Sequence, residues 1–134
     1  MAGASPADVN VAEIHDCFTV MGAIGTEVIG KAGYGEGARY WAEGKADAKG
    51  DCGINTSGGL IAKGHPVGAT GIAQIVELTE QLQGRCGKGQ VEASTAALAH
   101  NGGGVVGNEA ASMCVTFRLR TPSVCATPTP STRT

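Results

Sequence analysis

Aromatic residues make up only 4% of the chain: one Trp, two Tyr and two Phe. Without them there is no platform on which successive bases of a single strand could stack. A basic excess is missing too. The formal net charge is −2, so no positive field is present to hold a phosphate backbone, and nucleic acid is excluded as a partner. No apolar run approaches the roughly 18 residues of a membrane-spanning helix, so no membrane span is expected. The opening MAGASPADVN has no basic segment leading into an apolar one and does not read as a secretory leader. The five cysteines, Cys17, Cys52, Cys86, Cys114 and Cys125, contain no CxxC pair. An odd, unpaired set reads as the reduced thiols of an intracellular protein rather than a disulfide framework. Asn55-Thr56-Ser57 fits a glycosylation sequon, which has no use without secretion. Peroxisomal, mitochondrial and cytoplasmic locations all stay open, although the final Thr132-Arg133-Thr134 is not the peroxisomal Ser-Lys-Leu signal.

Against these absences stands a composition able to fold. With 134 residues, 42% hydrophobic and 16% charged, the chain can bury one core and make at most one domain. Glycine is in excess: 22 residues, clustered at 22–37, 50–71 and 102–107. Clustered glycine means tight turns or close approach of backbone to something, as in a ligand site built from loops.

Residues 8–14, DVNVAEI, alternate as a short strand does and end in His15-Asp16-Cys17-Phe18. Asp16 is placed to cap a following helix, whose apolar face would be Val20, Met21, Ile24 and Val28, with Gly30 and Gly33 as its stop. Residues 33–52 lack periodicity and read as a polar excursion with a helical turn around Ala38 to Glu43. A short strand at Cys52 to Asn55 leads into a glycine-rich loop ending at Thr70. From Gly71 to Leu82 the spacing predicts a helix with Ile72, Ile75, Val76, Thr79 and Leu82 on its apolar face and Gln74, Glu77 and Gln81 opposite. Gly84 supplies its stop. Ala93 to Ala99 reads as a strand of small residues buried on both faces, broken by His100-Asn101-Gly102-Gly103-Gly104. Ala111 to Leu119 alternates as a last strand with one face outward, antiparallel to its predecessor. The tail after Arg120 is rich in Pro, Thr and Ser and is expected to be disordered over 121–134. The order β-α-excursion-β-α-β-β describes an α/β domain with a mixed sheet.

All three histidines lie in loops at strand ends or helix starts: HDCF at 15–18, GHP at 64–66 and HNGGG at 100–104. Such loops are where α/β sheets place ligands. His65, at the mouth of a long helix, is a candidate donor to an oxyanion; a plain loop histidine is the alternative. GHPVGATG lacks both the Lys-Ser/Thr ending of a nucleotide loop and GxGxxG spacing. Cys17 sits beside His15, Asp16 and a helix start, surroundings that favour a thiolate; an inert buried thiol is the alternative. A zinc site from His15, Cys17, His65 and His100 lacks any short-spaced ligand pair, and no metal is expected. The HNGGG amides could form an anion-holding concavity, or merely a hairpin bend.

NTSGGLIAKGHPVGATGIAQIVELTEQLQG closely resembles the hallmark segment of thiolases. VAEIHDCF resembles the loop variant of the sterol-carrier-protein type of thiolase, and ALAHNGGG stands where thiolases carry their C-terminal catalytic loop. The resemblance covers roughly residues 7 to 119. It implies a thiolase C-terminal domain over residues 1–120: an α/β fold whose mixed sheet is of the five-stranded type, with helices on its faces, and incomplete here. It further implies acyl transfer between coenzyme A and a cysteine, by cleavage of 3-ketoacyl-CoA or its reverse. By match to the motifs, His65 would donate to the thioester oxygen. His15 would share that oxyanion hole and Cys17 would be the acid/base. Gly64, His100, Asn101, Gly102 and Gly103 would contact substrate. The usual Cys-x-Gly loop is replaced by HNGGG, which holds no cysteine. Coenzyme A would be substrate, with no cofactor covalently bound. The nucleophilic-cysteine loop of the family's N-terminal domain has no counterpart in this sequence. The chain therefore reads as a C-terminal part, inactive alone, of a parent expected to be a homodimer. A non-catalytic relative that binds CoA esters, lipid or a partner chain is the other reading, and a purely structural dimer-forming domain a weaker third.

Overall fold

The computed structural model describes residues 4–106 and 109–118. The first strand, β1 (Val11–Glu13), is flanked by two later ones. Helices α1 (Thr19–Val28) and α2 (Gly37–Ala42) precede β2 (Gly53–Ile54). A short α3 (Gly59–Lys63) and the long α4 (Thr70–Leu82) precede β3 (Ala96–Val106) and β4 (Glu109–Arg118). The sheet order is β2-β1-β3-β4; β1 is parallel to both neighbours, and β3 is antiparallel to β4. This is the mixed α/β sheet expected. Four strands of the five-stranded type are present among the described residues. The disordered-tail expectation at 121–134, Cys125 and Leu119 fall outside the described residues.

Alternation along β1 divides the core in two. Ala12 and Ile14 pack with Val9, Ile29, Tyr40 and Ile54. Val11 packs on the other face with Leu78, Ala97 and Ala99. Helices therefore cover both faces of the sheet. Gly25 lets α1 lie directly on the strand, since a Cβ there would stand 3.1 Å from Ile14 Cδ1. Gly30, at φ +76°, ends the helix as expected.

The helical faces depart from the sequence reading. On α1 the buried residues are Gly22, Gly25 and Thr26, while Val20, Ile24 and Val28 are exposed. On α4 the buried stripe is Thr70, Gln74, Leu78 and Gln81, spaced by four, four and three. Ile72 is 65% exposed and Val76 53%. The supposed outer face of α4 is thus the inner one. The glutamines tolerate burial because backbone groups partner them. Gln81 Oε1 accepts the Val91 N–H at 2.9 Å and its Nε2 donates to the Gly89 carbonyl at 2.8 Å. Gln74 Nε2 donates to the His100 carbonyl at 3.2 Å. Small residues on the α1 inner face win for the same kind of reason: close helix–strand approach excludes large side chains.

Three further corrections concern loops. The glycine-rich stretch from Asn55 to Thr70 contains α3, entered at Gly58 and Gly59, both at positive φ. Asp16 does not cap α1, whose N-cap is Phe18. Its Oδ1 instead accepts the Leu60 N–H at 2.7 Å, capping α3 from across the fold. HNGGG does not break β3. The ladder with β4 runs through it, from Ala96 opposite Arg118 to Val106 opposite Glu109, with an irregularity between Gly103 and Val105. A long antiparallel partner holds these glycines extended despite their weak strand preference.

Candidate functional site

Because β1, β2 and β3 are parallel, their carboxyl ends share one edge of the sheet, the place where open α/β sheets hold ligands. The register sets Glu13 opposite Ala99. Two residues further along each strand come His15 and Asn101, whose Nδ1 and Oδ1 stand 2.8 Å apart. The turn after α3 delivers His65 to the same spot. The His15 and His65 rings meet edge to face, with centroids 4.9 Å apart and planes at 88°. Two loops 50 residues apart in sequence thus converge, His15 buried and His65 exposed. Cys17 is half-buried, two residues beyond His15.

Beside the pair opens a cleft of about 430 Å³ between α4 and β3, walled by His65, Val67, Ile72, Ile75, Asn101 and Gly102 among others. Gly103 also lines it, whereas Gly64, His15, Cys17 and His100 do not. The β1 ladder ends at Glu13–Ala99. Past that point β3 pairs only with β4 among the described residues, and Asn101–Gly103 line the cleft. The expected loop of amides is therefore a strand segment. His100 is buried, and burial first, then the nearby His15, push its pKa below the usual histidine value. It stays neutral where an ordinary histidine begins to charge.

Gly59 shows why this region needs glycine. It has φ +62°, and a Cβ there would run into the Asp16 carboxylate and lie 2.8 Å from Asn55 Nδ2. Asn55, also at positive φ, is buried, and its Oδ1 accepts the Ile14 N–H at 2.7 Å. The sequon asparagine is thus part of the scaffold under the site.

A second cluster was not legible in the sequence. Glu13 is buried; its Oε2 accepts the Ser57 hydroxyl at 2.6 Å and lies 3.4 Å from Lys63 Nζ, which donates to Ser57 Oγ at 2.7 Å. Burial raises the Glu13 pKa, while the Ser57 hydroxyl and N–H and the Lys63 charge pull it back. The group ties β1 to both ends of α3, immediately before Gly64-His65. The available signal was a carboxylate at an inward strand position two residues before His15. Among the described residues no group of three or more His, Cys, Asp or Glu side chains is arranged to hold a metal ion.

Comparison with known proteins follows the same lines. The profile described as thiolase C-terminal domain-like matches residues 1–116. An acetyl-CoA acetyltransferase of Methanothermobacter thermautotrophicus is 46% identical over 82% of this chain and 29% of its own length. Non-specific lipid-transfer protein-like 2 of Caenorhabditis elegans is 49% identical over 77% of this chain and 26% of its own. Sterol carrier protein 2 of Homo sapiens is 46% identical over 78% and 20%. The chain therefore spans under a third of the length of these relatives. Among solved structures, an Ltp2-ChsH2(DUF35) aldolase chain superposes with a TM-score of 0.65 at 26% identity, over 73% of this chain and 25% of that one. The profile takes in all four strands and all four helices apart from the end of β4, and the chain belongs to the thiolase C-terminal domain-like family.

Proposed function

We propose that this chain is the part of an acyl-CoA thiolase that supplies the acid/base thiol and an oxyanion-binding imidazole, for 3-ketoacyl-CoA cleavage or the reverse condensation. The observation that carries this reading is the His15–His65 contact at 4.9 Å, with Cys17 two residues away. Carbanion formation beside a thioester needs a base and a stabilised enolate oxygen. Cys17 is assigned the proton transfer, His65 donation to the thioester oxygen, and His15 the same oxygen's surroundings. The cleft edge of Asn101–Gly103 is assigned to substrate. The acyl group itself is taken by a nucleophilic cysteine from another domain, and the chain alone turns nothing over. The name of the acetyltransferase relative supports an acyl-CoA as the substrate class.

The test is a chimera in which this chain replaces the matching C-terminal segment of the Methanothermobacter acetyltransferase. The folded chimera is expected to cleave 3-ketoacyl-CoA, and Cys17→Ala to abolish that. A chimera as inactive as its Cys17→Ala form would overturn the assignment. His65→Ala in the chimera is expected to lower kcat by about 10²–10³, the cost of one oxyanion donor; an unchanged kcat removes His65 from the mechanism.

The second reading, a non-catalytic module for CoA esters or lipid, draws on the apolar wall of the cleft and on the lipid-transfer name of one relative. Calorimetric titration of the chain alone with acyl-CoA separates the two. Tight binding together with an inactive chimera favours the module.

A further inference from the structure

The turn that carries His65 has little to hold it. Residues 61–69 are all exposed, so no side chain among them packs into either half of the core. Gly64 and Gly68 bracket the histidine at φ +85° and +88°, and nothing lies within 4 Å of where a Cβ would stand on either. Such glycines leave the backbone free to swing. The turn's own backbone hydrogen bonds, Gly64 N–H to the Leu60 carbonyl at 3.0 Å and Ala69 N–H to the Pro66 carbonyl at 2.9 Å, stay local. Firm attachment begins outside it. On one side the Leu60 N–H is held by the Asp16 carboxylate at 2.7 Å. On the other stands Thr70, 2% exposed, whose Oγ1 lies 2.8 Å from His65 Nδ1. Between those points, among the described residues, one side chain reaches a strand by hydrogen bonds. Lys63 Nζ donates to Ser57 Oγ at 2.7 Å and meets the Glu13 carboxylate at 3.4 Å. Only 26% of the Lys63 side chain is exposed, and 1% of the Glu13 side chain. Glu13 ends β1, two residues before His15.

We infer that Lys63 is a positioning residue for His65. By clamping the end of α3 to Glu13, it fixes the turn against the strand that leads to His15, and so sets the 4.9 Å contact of the two rings. A compact ammonium has three protons to give and serves two oxygens at once. The Ser57 hydroxyl, donating to Glu13 Oε2 at 2.6 Å, completes the clamp. Because its head group is engaged there, Lys63 is not offered to the negative groups of a substrate. What the clamp does for chemistry rests on the thioester reading above; the clamp itself does not. A donor displaced by about an ångström can cost a reaction about 10²-fold, even when the change lies away from the reacting atoms.

Nuclear Overhauser contacts between the ring protons of His15 and His65, measured on the full chain, report the pair directly. They are expected in the wild type, lost in Lys63→Met and regained in Lys63→Arg, which keeps a charge able to reach Ser57 and Glu13. Lys63→Met leaves a buried carboxylate without its counter-charge. Where that variant fails to fold, Glu13→Gln with Lys63→Met, in which both charges are gone, takes its place and is expected to lose the same contacts while still melting cooperatively. In the acetyltransferase chimera, Lys63→Met is expected to lower kcat about 10- to 10²-fold with KM held within about twofold, and Lys63→Arg to restore most of the rate. Ring contacts absent from the wild type, or persisting in the variants that lack the lysine, overturn the inference. So does a KM that rises while kcat holds, the sign of a lysine that binds substrate instead. A wild-type chimera without activity, beside contacts that vanish on Lys63→Met and return on Lys63→Arg, would sink the thioester reading and leave the clamp standing.

Discussion

Glu13 brings a carboxylate into the interior two residues before His15, on the same face of β1, and burial raises its pKa above 4.5. Between 4.5 and its folded value the folded chain binds more protons than the unfolded one, so this group weakens the fold as pH rises through that window. Glu13→Gln removes the dependence. Relative to wild type, the variant should gain thermal stability as pH rises from about 4.5 through that window, even though it lacks the ion pair that ionised Glu13 makes with Lys63. Melting temperatures across that range check the sign; a variant that loses ground as pH rises would mean the carboxylate is held below its ordinary value. His15, His65 and Cys17 were singled out from motif letters alone, and the structure brings the rings of the two histidines into contact. Glu13, Thr70 and Asn55 were not singled out. Their work is done through partners elsewhere in the chain, Ser57 for Glu13 (44 residues on), His65 for Thr70 (5 back) and Ile14 for Asn55 (41 back), and a linear reading does not supply those distances.

At the scale of elements, α4 is the clearest case. Its length and ends were read correctly to within a residue, since they follow from local spacing and from Gly84 at φ +70°. Its orientation was inverted. Leu78 is fully buried against Val11 and Ala97, whereas Ile72 stands in solvent. Leu78→Ala should therefore cost about 2–5 kcal/mol, and Ile72→Ala should stay within about 0.5 kcal/mol. Chemical denaturation of the two variants separates the orientations, because the reverse ranking would turn the helix over. A similar exchange governs α3, which takes its cap from Asp16 on another element. Asp16→Ala should cost about 1 kcal/mol and Asp16→Asn much less, the usual loss for a missing side-chain cap. Equal losses would assign Asp16 a role through charge rather than through the Leu60 N–H.

Over the whole molecule, both long helices turn apolar side chains outward: Phe18, Val20 and Val28 at α1, Ile72, Ile75 and Val76 at α4. Contiguous exposed apolar surface drives association. The isolated chain should self-associate with rising concentration, and Ile72→Lys with Val76→Lys should reduce this without lowering the melting temperature. Light scattering on the two forms tests it; a chain that stays monomeric at every concentration would mean these side chains are too scattered to matter. The same outward faces explain why amphipathic reasoning failed twice. It assumes that the core within the chain is the only apolar environment a helix can meet, and α1 and α4 each have a second apolar side.

The sequence by itself determined the places of β1, β2, α1, α2 and α4, the mixed α/β class and the family, because glycine punctuation, alternation and the GHP and HDCF letters are local properties. Tertiary structure alone decided which face of each helix is inside, that HNGGG continues a strand, and that Asp16 serves α3. It also brought the imidazoles of residues 15 and 65 into contact. These depend on parallel register and on which backbone groups across the sheet are left needing a partner, and both are set only when distant segments pack together.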